Sequence, residues 1–215
     1  MSKHIAILGS SKAEVFENIV NYIKIYNSDT QITCLSNNLE SEILKKAKQL
    51  GIVHQYLPFE ENTKYFANHN FDLGVLTEYN QDLSVETLES CQFINIHPSL
   101  LPSFKGKDAI YRAYSSGVKV SGVTIYKLNS APEKEQIIAQ YPVLIGTTTH
   151  FDEFEKEIYD IENTLYPPVI NAILEDKVFD FQDLFKNKCK TVEDVTNAKV
   201  KSSTCRFRSR RTVYI

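Results

Sequence analysis

Short apolar runs alternate with amphipathic stretches through the first hundred residues of this chain, and that alternation limits its possible folds more than any other feature. Ile5-Ala6-Ile7-Leu8 ends at Gly9, and Val15, Ile19, Tyr22 and Ile23 follow at helical spacing. Residues 31–35 read as a second strand, and residues 39–50 as a helix stopped by Gly51. Residues 53–57 give a third strand, 60–67 a short helix, 71–76 a fourth strand and 93–95 a fifth. Strands that are apolar nearly throughout, separated by helices, are buried on both faces, which predicts a mostly parallel sheet. Residues 118–128 and 137–144 then read as two longer strands joined by a polar connection. Thr149-His150-Phe151-Asp152 has capping-box spacing, and Phe154, Ile158, Ile161 and Leu165 form the apolar stripe of the helix that follows. Pro167-Pro168 predicts a break or kink, with Val169, Ile170 and Ile173 marking where helix resumes. The fold expected is α/β and Rossmann-like: a mostly parallel central sheet, antiparallel strands toward the C-terminal half, and helices on both faces.

The chain has 215 residues, enough for one domain with a substantial core, and a formal net charge of −3, which gives no bulk attraction to nucleic acid. It contains no apolar span of about 18 residues and no signal-peptide pattern, so a cytoplasmic protein without a membrane partner is expected. Cys34, Cys91, Cys189 and Cys205 are scattered without Cys-x-x-Cys spacing, which predicts reduced thiols and no metal site. Beyond residue 181 the pattern weakens, so residues 1–180 read as the folded domain and 181–215 as a C-terminal extension. That extension ends in Lys199, Lys201, Arg206, Arg208, Arg210 and Arg211 with no acid to balance them. Such a run could contact nucleic acid or phosphate, with Phe207 and Tyr214 stacking. Terminal charge runs are commonly just solvated, however, and no nucleic-acid partner is expected.

The chemistry is concentrated in Asn95-Ile96-His97-Pro98-Ser99-Leu100-Leu101-Pro102. Residues i and i+2 of a strand point to one side, so Asn95 and His97 should face one pocket together. An amide can donate to a developing oxyanion; an imidazole can do the same or carry a proton near neutral pH. Pro98 places the pair at a strand end, because it cannot donate to a ladder.

This run closely resembles the active-site signature of the folate-dependent formyltransferases, above all the phosphoribosylglycinamide formyltransferase family of purine biosynthesis. The resemblance continues through Ser103-Phe104-Lys105-Gly106, Ala109, Ala113, residues 117–124 and Ile137-Ile138-Ala139-Gln140. Earlier in the chain it takes in Ser36-Asn37, Leu44, Ala47 and Gly51-Ile52, and it covers roughly residues 3–175 of a divergent member.

The resemblance implies 10-formyltetrahydrofolate as co-substrate and a small-molecule amine, glycinamide ribonucleotide, as acceptor. It also implies a monomer or homodimer and a cis Leu101-Pro102 peptide. Asn95 and His97 would be catalytic, together with a carboxylate that ungapped alignment places at Glu133. There this chain has Glu for the family's Asp, with Pro132 before it and Glu135 at a glycine position, so Glu133 is either a re-aimed catalytic carboxylate or a solvated loop residue. The folate site would use Tyr79, Asn80, Leu83, Asn129 and Ala131, in a segment more polar than the family's, where Asp82 would be costly if buried. The acceptor site would use Ser10, Ser11, Lys12, Pro98 and Ser99, with Ser10-Ser11-Lys12-Ala13-Glu14 replacing a glycine-rich phosphate loop. Two alternatives stand beside this reading. One is formyl transfer to another amine, such as an amino-sugar nucleotide; the other is a non-catalytic paralogue that binds a ligand or partner.

Overall fold

The computed structural model describes residues 2–130 and 136–180. Ala131, Glu133, Cys189, Cys205 and the basic extension over 181–215 lie outside the described residues. Five strands run parallel: β1 (His4–Gly9), β2 (Gln31–Ser36), β3 (Val53–Tyr56), β4 (Leu73–Thr77) and β5 (Gln92–His97). β6 (Val120–Leu128) is antiparallel to β5, and β7 (Gln136–Leu144) is antiparallel to β6. Together they form one seven-stranded sheet in the order β3-β2-β1-β4-β5-β6-β7. The chain builds outward from β1 in one direction and then returns to start β4 on its other side. The carboxyl ends of β1 and β4 therefore diverge, which is where open α/β sheets form a crevice.

Among the described residues, six α-helices accompany the sheet: α1 (Glu14–Tyr26), α2 (Glu42–Gln49), α3 (Asn62–Asn68), α4 (Val85–Ser90), α5 (Ala109–Ser115) and α6 (Phe151–Leu174). α1 buries Phe16, Ile19, Val20 and Ile23, one stripe at helical period, and carries Glu14 and Glu17 in its first turn, where the helix dipole favours negative charge. α2 ends as expected, with Gly51 in the left-handed region at φ +67°. One sheet face packs Ala6, Leu8, Leu35 and Phe93 against Phe66 of α3 and Leu88 of α4. The other face packs Val123 and Val143 against Ile110 of α5 and against Phe154 and Ile158 of α6. No helix among the described residues is long and apolar enough to cross a membrane.

α6 departs from the sequence reading in two places. Its N-cap is His150, whose N–H donates to the Glu153 carboxylate at 3.4 Å, while the Thr149 hydroxyl accepts from the Gly146 N–H at 3.1 Å. The capping pair thus sits one residue later than the Thr149–Asp152 spacing suggested. The helix also runs through Pro167-Pro168 without a break. An interior proline costs about 3 kcal/mol, but this turn buries Tyr166, Pro167, Val169 and Ile170, and each large apolar side chain returns about 1.5–3 kcal/mol. The Tyr166 hydroxyl, fully buried, also reaches the carbonyls of Leu76 and Ile94 at 3.1 Å each, tying the helix to β4 and β5. Burial outweighs the missing N–H groups.

Candidate active site

Asn95 and His97 occupy the carboxyl end of β5, and both are half-buried. Their cross-strand partners on β6 are Tyr126 and Thr124, so all four side chains lie on the face that also carries Phe93. The Asn95 Oδ1 accepts from the Ile96 N–H at 2.9 Å, and its Nδ2 donates to the Tyr126 hydroxyl at 3.1 Å. A backbone donor therefore fixes which way the amide faces, and the second N–H of Nδ2 is left for another acceptor. The His97 Nε2 lies 3.1 Å from the Phe104 carbonyl. A carbonyl only accepts, so Nε2 carries a proton in this contact, and the lone pair of the neutral ring lies on Nδ1.

The segment after His97 is folded back and pinned. The Ser99 N–H donates to the His97 carbonyl at 2.9 Å, and the Ser99 hydroxyl donates to the Ser103 carbonyl at 2.6 Å. Thr124 Oγ1 donates to the Ser99 carbonyl at 2.6 Å and accepts from the Leu101 N–H at 3.0 Å. Leu101-Pro102 is cis, as the resemblance implied. Arg112 on α5 completes the loop, donating through Nη2 to the carbonyls of Phe104 (2.8 Å) and Lys105 (2.7 Å) and through Nε to that of Lys107 (3.0 Å). Ser99, expected in the acceptor site, is fully buried, and its hydroxyl donates within the turn. Pro98 beside it stays half-buried.

The loop after β1 is similarly occupied. Ser10 is buried; its hydroxyl lies 2.8 Å from Asn37 Oδ1 and 3.0 Å from Asn80 Oδ1, and accepts from the Asn80 N–H at 3.0 Å. It ties together the ends of β1, β2 and β4. Ser11 donates its hydroxyl to Glu78 Oε2 at 2.7 Å, and the Lys12 N–H approaches the same oxygen at 3.4 Å. The Lys12 ammonium lies over the Tyr159 ring, 4.8 Å from its centroid. Glu78 holds this position with a left-handed backbone, φ +48°.

Beside this contact a cavity of about 320 Å³ opens between the start of α1, the end of β4 and α6. Five carboxylates line it (Glu14, Glu78, Asp152, Glu155 and Asp160) against two lysines, Lys12 and Lys156. Asn95 and His97 are not among its lining residues. Behind the wall, Glu162 of α6 is only 6 % exposed. Burial first, and the Glu78 charge second, push its carboxyl up to about 8, with Lys12 opposing. Neither Glu78 nor Glu162 stands out in the sequence as a site residue. Glu162 does carry a signal there, because it follows Ile158 by four residues on the apolar stripe of α6.

The residues expected at the folate site fall in two segments, 79–83 and 129–131. Tyr79 and Leu83 pack against the core on the Phe93 face, and the Tyr79 hydroxyl accepts from Asn62 Nδ2 at 2.9 Å. Asn80 is spent on the Ser10–Asn37 knot. Asp82 is exposed and so escapes the cost of burying a charge. Asn129 follows Leu128, which pairs with Phe93; it therefore leaves β6 on the amino side of Asn95, away from His97. Burial raises the thiols of Cys34 and Cys91 to about 12 and 11, so neither is a thiolate near neutral pH.

With Asn95 and His97 at a strand end of a mostly parallel α/β sheet that turns antiparallel at one edge, the chain belongs to the formyl transferase family, whose profile matches residues 3–170. It is 30% identical over 187 residues to the phosphoribosylglycinamide formyltransferase of Bacillus subtilis, covering 80% of this chain and 95% of that protein. The crystal structure of phosphoribosylglycinamide formyltransferase from Campylobacter jejuni superposes with a TM-score of 0.72 at 28% identity, covering 81% of this chain and 98% of that one. The family also includes a formyltetrahydrofolate deformylase of Arabidopsis thaliana, 28% identical over 161 residues, covering 70% of this chain and 49% of that protein.

Proposed function

We propose that this chain transfers the formyl group of 10-formyltetrahydrofolate to the amine of a small molecule. The observation that carries the reading is the fixed pair at the end of β5: an amide held by the Ile96 N–H, with a donor to spare, beside a partly exposed imidazole. The acceptor amine attacks the formyl carbon and a C–N bond forms. Asn95 Nδ2 donates to the formyl oxygen as it gains negative charge. His97, with Nε2–H on the Phe104 carbonyl, takes the amine proton at Nδ1 and returns it to the departing folate nitrogen as the old C–N bond breaks. Glu133, outside the described residues, is the carboxylate proposed to favour the imidazolium. Tyr79, Leu83, Asn129 and Ala131 are proposed to border the folate.

Relatives named for phosphoribosylglycinamide favour glycinamide ribonucleotide as the acceptor, and purine biosynthesis in the cytoplasm as the setting. The Glu78 carboxylate on Ser11 and Lys12 favours a second reading, transfer to a different amine. Titration calorimetry with a non-reactive folate analogue, followed by glycinamide ribonucleotide, tests the proposal. Saturable folate binding is expected. Its absence would favour the non-catalytic paralogue.

A further inference from the structure

The turn that leads from the His97 loop into α5 is held against its own backbone preferences. Between Phe104 and Asp108 the chain enters the positive-φ region at every second residue: Phe104 (+55°), Gly106 (+91°) and Asp108 (+54°). Only glycine takes such values freely; for a bulky aromatic residue they are an outlier. Asp108 also opens α5 without a side-chain cap. A backbone of this kind persists only where its surroundings over-determine it.

Arg112 supplies those constraints. Its side chain leans back over the turn, as helical side chains do, and donates to the carbonyls of Phe104 (2.8 Å), Lys105 (2.7 Å) and Lys107 (3.0 Å). Its own N–H donates to the Asp108 carbonyl at 2.9 Å. A cation this early in a helix opposes the helix dipole, so its place is explained by the turn and not by α5.

One of the clamped carbonyls is shared with the imidazole. Phe104 O accepts from Arg112 Nη2 and lies 3.1 Å from His97 Nε2. A carbonyl oxygen has two lone pairs, and these two donors engage both. The guanidinium never loses its proton, so the oxygen keeps its direction whatever the imidazole does. Nε2 thus meets a fixed acceptor and holds its proton, and Nδ1 is the basic nitrogen.

We propose that Arg112 is a positioning residue for formyl transfer: its guanidinium fixes the 104–108 turn so that the Phe104 carbonyl holds His97 in one tautomer and one orientation. This rests on the reading of the chain as an amine formyltransferase and deepens it. The fork matters more than the charge, because a lysine ammonium is a single point on a flexible stem and does not span three carbonyls. Misplacing a reacting group by about 1 Å can cost about a hundredfold in rate.

Arg112→Ala and Arg112→Lys test the assignment by kinetics and by nitrogen-15 NMR of the histidine rings. Arg112 is exposed on its helix and alanine is the best helix former, so the variants should fold, and a thermal melt checks them. Formyl transfer from 10-formyltetrahydrofolate to glycinamide ribonucleotide or glucosamine, whichever the parent accepts, should lose at least tenfold in kcat with both KM values within threefold. Arg112→Lys should resemble Arg112→Ala. At about pH 9, where an ordinary imidazole is neutral, the parent's His97 should show a protonated Nε2 and an unprotonated Nδ1. In both variants the two nitrogens should move toward the average of the two tautomers. His97→Gln assigns these resonances by their loss. A His97 ring signature unchanged in Arg112→Ala, a kcat within threefold of the parent, or full activity in Arg112→Lys would each overturn the inference. The ring signature needs no turnover, so it judges Arg112 separately. A parent that transfers formyl to neither amine removes the formyltransferase reading instead.

Discussion

Replacing Asn95 with alanine should lower formyl transfer about 10²–10³-fold while leaving folate affinity within a few-fold of the parent. Loss of a single oxyanion donor has an effect of this size, because the donor is worth most when charge develops and little before. The geometry makes Asn95 a sharp test. Its Oδ1 is already held by Ile96 and one N–H by Tyr126, so the substitution removes a positioned donor without emptying a core site. Asn95→Asp keeps the shape and replaces the donor by a negative charge facing another, so it should be at least as damaging. Tyr126→Phe removes only the anchor of the amide and should cost far less. Rates measured at saturating folate, alongside folate affinity for each variant, separate a lost donor from lost binding. An Asn95→Ala enzyme that is as fast as the parent would take the amide out of the mechanism.

Glu162→Gln should stabilise the protein at alkaline pH and have little effect in acid. The carboxyl is raised from its ordinary value of 4.5 to about 8 by burial, reinforced by Glu78. In the unfolded chain it ionises above about pH 4.5, whereas in the fold it stays protonated until about pH 8. Folding therefore carries a penalty that is absent below pH 4.5, grows between the two values and is complete above pH 8. Each tenfold change in an acid's ionisation constant corresponds to about 1.4 kcal/mol, so the ceiling is about 5 kcal/mol, and a few kcal/mol is the expected scale. Glutamine resembles the protonated acid and has no proton to lose. Urea unfolding of parent and variant at about pH 5 and about pH 8.5 should therefore give similar stabilities at the lower pH and a more stable variant at the higher one. Parallel changes in the two proteins would mean that Glu162 does not titrate between these limits. Other carboxylates contribute equally to both proteins and cancel in the comparison.

The parts of this molecule that are readable from sequence are those fixed by local pattern. β1, β2 and β4 announce themselves because buried strands are apolar nearly throughout, whereas β3, Val-His-Gln-Tyr at the sheet edge, is exposed along its length; Asn95 and His97 stand out because i, i+2 spacing before a proline admits few other geometries. α4 and α5 leave no such mark: at six and seven residues they complete at most two turns, too few for a 3.6-residue period to stand out. The Thr149 capping box fails by one residue because His150 supplies an equally good frame with Glu153. For Ser99, Ser10 and Lys12, neighbours in sequence suggest acceptor contacts. The Ser10 hydroxyl and the Lys12 N–H meet Asn80 and Glu78 far along the chain, which no local pattern reports, whereas the Ser99 hydroxyl stays local, on the Ser103 carbonyl. Glu78 is the instructive case: from the sequence it is one more acid after a strand, and only its meeting with Ser11 gives it a role.

The most direct test is to follow tetrahydrofolate release from 10-formyltetrahydrofolate, with and without an amine acceptor, and to identify where the formyl group goes by mass spectrometry. Glycinamide ribonucleotide and glucosamine serve as the two acceptors. The account predicts release that depends on one of these amines and a product carrying one added formyl group. Release that proceeds equally well without amine and yields formate would instead match the deformylase relatives, and it would contradict the account.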